Sequence, residues 1–189
     1  MRRFKGTRGT IVLLVLIMML MAYYFYLSNR KSGKQEDTAV EVTKVQSVLL
    51  NDFSRNYPPT PKEVVKSYSE ITEVLYNEQY SDEEFKKLAD HIMELYDAEL
   101  AAHQNMQDYY TNLRNEILSY REDGVVISSY KTSNSMDVQY FKKDGFECAS
   151  LYCRYTLRRE TKLQATEEIF ILRKDEKGHW KIFGWDITS

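Results

Sequence analysis

MQDYYTNLRNEILSYREDGVVISSYKT, residues 106–132, changes its hydrophobic period halfway along. Before Glu122, Met106, Tyr110, Leu113 and Ile117 recur at three- and four-residue spacing, which is one face of a helix. After Asp123–Gly124 the period falls to about two, the alternation of a strand. Helices precede this junction and strands follow it. Upstream, Val64, Tyr68, Ile71 and Leu75 mark one helix. Ser81 and Glu84 form a capping-box pair ahead of a second, whose stripe is Phe85, Leu88, Ile92 and Leu95. A third runs from about residue 98 to the junction, with room for a break at 103–105. Downstream come GVVISSYKT, MDVQYFKK, FECASLYCRYTLRR, LQATEEIFILRK and HWKIFGWDI. Asp144–Gly145 is a two-residue hairpin signal and Gly178 suits a longer turn. Strands joined this tightly run antiparallel. The expected fold class is therefore α+β: about three helices packed on a curved antiparallel sheet of four to five strands, over residues 60–189.

The domain's start is marked by NYPPTPKEVV, residues 56–65, which holds all three prolines. Thr60 reads as an N-cap whose hydroxyl accepts from the Glu63 amide, with the Glu63 carboxylate returning to the Thr60 amide. Pro61 falls at the first helical position, where its missing N–H is no loss. A helix that begins at once leaves little extended chain for a proline-reading partner, so the stretch reads as a rigid joint. Residues 30–59 precede it as a juxtamembrane linker. Within them, VEVTKVQSVLLNDF fits either a short strand followed by a helical turn or a partly docked arm.

Further upstream, IVLLVLIMMLMAYYFYL, residues 11–27, carries no charge. Residues 10–29 are the expected transmembrane helix: at about 1.5 Å per residue they span about 30 Å, a bilayer core. Residues 1–9 form a basic flank, and Tyr23, Tyr24 and Tyr26 suit the headgroup zone. A cleaved signal peptide would have a shorter apolar run and a small-x-small site, and neither is present. Positive charge is slightly heavier before the span than after it. The expectation is a single-pass cell-membrane protein, in contact with lipid, whose domain faces out of the cytoplasm.

Residues 1–34 hold seven of the 26 Lys and Arg and none of the 28 acids, so the remainder carries a net charge of −9. An acidic body argues against a nucleic-acid partner. Cys148 and Cys153 are five apart and point to opposite faces of one strand, so they do not pair; Cys153 reads as a buried thiol. His91, His103 and His179 are scattered and expected at the surface. No zinc-protease, nucleophile-elbow, phosphate-loop, C-x-x-C or dinucleotide motif occurs, so no metal site, cofactor or catalytic set is assigned.

The helix-then-meander order, closed by Trp180, Lys181 and Ile182, resembles the nuclear-transport-factor-2-like (SnoaL-like, cystatin-like) superfamily. The anchor, YPPTPKEVVKSY and LYDAEL (Leu95–Leu100) resemble an uncharacterised family of small membrane-anchored bacterial proteins. The resemblance implies a cone-shaped domain whose pocket, in enzymes of the superfamily, pairs an acidic base with a Tyr donor. Glu167, Glu168 and Asp186 are the candidate acids; consecutive residues on a strand face opposite sides, so Glu167 and Glu168 cannot both point inward. Tyr68, Tyr155, Glu168 and Trp185 are the expected pocket residues. The single-pass layout also resembles scaffold subunits of conjugation and secretion channels. The first functional expectation is accordingly a non-enzymatic interaction or scaffold module at the cell envelope, binding a protein partner or another copy of itself. The alternative is a small-molecule binder, or an isomerase- or dehydratase-type enzyme, using the cone pocket.

Overall fold

The computed structural model describes Met21, Tyr23 and residues 42–188, and the chain divides into two units, Met1–Glu41 and Val42–Ser189. The expected membrane span lies outside the described residues apart from Met21 and Tyr23. Among the described residues no helix is long and apolar enough to cross a bilayer.

Among the described residues of the second unit, five α-helices precede five strands. Helix α1 (Lys44–Leu49) starts at a full capping box: Thr43 Oγ1 accepts from the Gln46 amide at 3.2 Å, and Gln46 Oε1 accepts from the Thr43 amide. Its Val45 and Val48, with Phe53 just beyond, are buried in the same core as the later helices. The compact unit thus begins at Val42, earlier than the joint at Thr60 suggests. Three such side chains withdrawn from water contribute about 1.5–3 kcal/mol each, which holds the arm down.

Helix α2 (Pro61–Asn77) begins as its sequence dictates, with Thr60 Oγ1 accepting from the Glu63 amide at 3.2 Å and Pro61 at the first position. The expected return bond differs: the Glu63 carboxylate accepts from the Thr60 hydroxyl at 3.0 Å rather than from its amide. At Ser81, ahead of α3 (Asp82–Leu95), both halves of the box form. Val64, Val65, Ile71 and Leu75 of α2 and Phe85, Leu88, Ile92 and Leu95 of α3 fill the core. The break falls where the polar residues allow it, between α4 (Ala98–Ala102) and α5 (Met106–Glu122), which Asn105 caps. Helix α5 departs from expectation: of its stripe only Ile117 is buried, and Met106 is exposed. Tyr110 and Leu113 are only part-buried against the core, so the helix packs on it loosely.

The strands β1 (Val125–Thr132), β2 (Gln139–Lys143), β3 (Phe146–Arg159), β4 (Lys162–Lys174) and β5 (Trp180–Ile187) form one antiparallel sheet. Its order is β1-β3-β4-β5, with β2 beside β3. β1 and β2 share one edge of β3, pairing with Cys153–Arg159 and Phe146–Ser150 respectively. The β2–β3 turn has φ of 52° at Asp144 and 85° at Gly145, the two left-handed residues a type I′ hairpin requires. The free edge of β5 is partly covered: Tyr96 bridges Ile182, and the Asp97 amide donates to the Ile182 carbonyl at 2.8 Å.

An irregularity in β5 decides which side chains face the helices. Pairing runs Leu172 to Ile182 but Ile171 to Gly184, so Phe183 is an extra residue. Strict alternation from Ile182 would turn Asp186 inward. The bulge inverts the parity, so Trp185 and Ile187 face the helix layer and Asp186 faces away. Cys153 lies on the inner face and Cys148 on the other, both buried and free.

Candidate ligand cavity

Because α5 stands off the sheet, a cavity of about 450 Å³ remains between them. Its sheet wall comes from Tyr155, Thr166, Glu168 and Trp185, and its helix wall from α2, the end of α3 and α5. Trp185 and Ile187 both line it while 39% and 63% exposed, so it opens to solvent at the end of β5. The four pocket residues read from sequence all line this cavity, Tyr68 from α2 and Tyr155, Glu168 and Trp185 from the sheet. Glu167 points the other way, towards Arg154 at 3.6 Å.

The walls are aromatic. Trp185 packs within 5.7–6.2 Å of Tyr68, Tyr96 and Phe170, and Tyr76 meets Tyr120 edge-on at 5.0 Å. Tyr76, Tyr96, Tyr109, Tyr120 and Glu116 were not singled out from sequence. Their signal was there: Tyr109, Leu113, Glu116 and Tyr120 follow helical spacing beside the apolar stripe. Burial pushes the phenols of Tyr68, Tyr76, Tyr96, Tyr109 and Tyr155 well above their ordinary value, so all remain neutral.

Two hydroxyls are already committed. Tyr76 donates to Glu116 Oε1 at 2.6 Å, fixing that carboxylate. Ser69 has one hydroxyl proton, given to the Val65 carbonyl at 2.8 Å, so the 2.7 Å contact with Tyr155 is a bond donated by the tyrosine. Cys153 Sγ lies 3.5 Å from the same oxygen, and burial raises its thiol. Tyr155 therefore offers its ring, not its proton, to the cavity.

Glu168 is different. Desolvation first, and then the charge of Glu116, raise its carboxyl to about 7, with no hydrogen bond to offset either. Among the described residues no Lys, Arg or His lines the cavity. Among the described residues no group of three His, Cys, Asp or Glu could hold a metal.

Residues 1–185 match the family described as "Domain of unknown function (DUF6715)". The chain belongs to this family. No curated protein matches it. Among solved structures it is similar to CagV, a VirB8 homolog of T4SS from Helicobacter pylori strain 26695. The identity is 17%, covering 67% of this chain and 97% of that one, with a TM-score of 0.39. The architecture of this DUF6715 member is α+β, helices followed by an antiparallel meander.

The opposite face of the sheet in this family member carries Phe141, Phe146, Tyr152, Ile171 and Phe183, all partly exposed. Arg173 lies between Phe146 and Phe183, at 4.4 and 4.6 Å from their ring centroids. Its Nε donates to Asp97 Oδ2 at 3.0 Å, and its Nη2 donates to Asp97 Oδ1 and to Glu99. Asp97 is 4% exposed and also caps α4, so this fork fastens the helix layer around the edge of β5. The histidines do not all sit at the surface. His103 is exposed and His179 stacks on Tyr57 at 4.4 Å, but His91 is half-buried against Phe53 with Nδ1 unpaired. Packing of the α1 arm covers it.

Proposed function

We propose that residues 42–188 form a ligand-binding module held at a membrane by residues 10–29, and that the cavity is its binding site. One observation carries this reading: an open, aromatic-walled space of about 450 Å³ surrounds a half-buried, unpaired carboxylate, Glu168. That volume lies in the range of small-molecule sites, which combine apolar walls with few polar groups. A domain selected only for stability would place an apolar side chain at position 168, because desolvating a carboxylate without a partner is costly. Binding is favoured over catalysis by the committed hydroxyls. Tyr76 and Tyr155 are engaged with Glu116 and Ser69, so neither of these hydroxyls is free to serve as an acid opposite Glu168.

The anchor rests on the charge-free run and its basic flanks. It predicts a domain outside the cytoplasm, checked by whether external protease reaches the domain in intact cells. A second reading, as an interaction or scaffold module, is favoured by the exposed apolar outer face of the sheet. The two separate in one experiment on the full chain in micelles, a thermal-shift screen against a metabolite library beside the cavity-filling variant Thr166→Trp. The cavity reading expects compounds that raise the Tm of the wild type and not of the variant. A library that shifts neither, with crosslinks to proteins through the outer face, would replace it by the interaction reading.

A further inference from the structure

Resting on the cavity as a ligand site, we propose that its ligand is an organic cation: an amine or quaternary ammonium group seated among aromatic rings, with an apolar body. Three features of the wall agree. It contains two carboxylates, Glu116 and Glu168, and among the described residues no basic side chain lines it to neutralise either. It contains six tyrosines and a tryptophan, whose ring faces are the electronegative surfaces that attract ammonium groups. Its apolar members, among them Leu75, Leu113 and Leu157, leave room for hydrocarbon.

The other ligand classes fare worse on the same wall. An anion would meet two carboxylates with no donor cation, in a partly desolvated space where repulsion is strong. A neutral apolar ligand would fit the rings but would strip the remaining water from Glu168 without replacing it. A cation does the reverse: it supplies the partner that Glu168 lacks. Glu116 is pre-oriented for the task by Tyr76, while Glu168 sits at mid-strand, opposite Cys153 and Ile187. Each carboxylate projects from a rigid element, α5 or β4.

The titratable groups around Glu168 are Tyr68 and Tyr76 from α2, Tyr96 from the end of α3, Glu116 and Tyr120 from α5, and, on the adjacent strand β3, Cys153 and Tyr155. Burial holds the tyrosines and Cys153 of this set neutral, and Glu116 is the one other carboxyl among them. A bound cation favours the ionised form of Glu168, so binding releases a proton below its own range and tightens as pH rises through about 7.

The test uses the full chain in non-ionic micelles and three probes of similar size: benzyltrimethylammonium, neutral pivalophenone and anionic phenylacetate. Binding is read by quenching of tryptophan fluorescence. The cation is expected to bind with a Kd below about 1 mM and at least about tenfold more tightly than either other probe. Glu168→Gln should weaken the cation about tenfold, bind pivalophenone no more weakly than the wild type does, and abolish the rise in affinity between about pH 5.5 and about pH 8.5. Pivalophenone or phenylacetate binding as tightly as the cation would overturn the cationic class while leaving a ligand pocket. Failure of all three to bind would also overturn it. The pocket itself falls only if the library screen against Thr166→Trp is negative as well.

Discussion

Replacing Glu168 by Gln should make the protein more stable at alkaline pH, an outcome opposite to that of most buried substitutions. The carboxyl is raised from 4.5 to about 7 in the folded chain, so between those values the native state holds a proton that the unfolded chain has released. Stability from this group is present below about pH 4.5 and is lost as pH rises through about 7. For a fully enclosed group a gap of this size corresponds to about 3 kcal/mol. Glu168 is only part-enclosed, and solvent at the mouth screens it, so about 1–2 kcal/mol is expected. Glutamine has similar shape and no charge. Urea unfolding of the full chain in micelles at pH 5, 6, 7 and 8 measures the difference between wild type and variant. The variant should match the wild type at pH 5 and exceed it by about 1–2 kcal/mol at pH 8. Parallel profiles, or a variant less stable at pH 8, would refute the claim that Glu168 is desolvated without a partner.

Other expectations concern the frame. Arg173→Met should cost about 3–5 kcal/mol, because it strands the nearly buried Asp97; the double variant Asp97→Ala/Arg173→Met should recover part of that in a double-mutant cycle. Ser81→Ala removes the acceptor for the Glu84 amide and should lower stability by about 1 kcal/mol in the same denaturation assay. Cys153 should resist a thiol reagent in the native state and react at once in denaturant, since it is buried and its thiolate disfavoured.

Much of the fold was legible because its determinants are local. The change of period at Asp123–Gly124, the caps at Thr60 and Ser81, and the Asp144–Gly145 hairpin each lie within a few residues of the element they set. What escaped the sequence is non-local. The bulge in β5 is a matter of register against β4, yet it decides that Trp185 rather than Asp186 enters the cavity. The α1 arm belongs to the core because of what Val45, Val48 and Phe53 meet there, not because of their spacing. The helix wall was missed for a related reason. Helical spacing shows which residues share a face of α5, but not that this face looks onto empty space instead of a packed sheet.

The most direct measurement of the central claim is native mass spectrometry of the full chain isolated gently from cells in mild detergent, beside Thr166→Trp prepared identically. The cavity reading predicts a small-molecule adduct on the wild type that is absent from the variant. A bare polypeptide mass in both preparations, or an adduct retained equally by the variant, would contradict it.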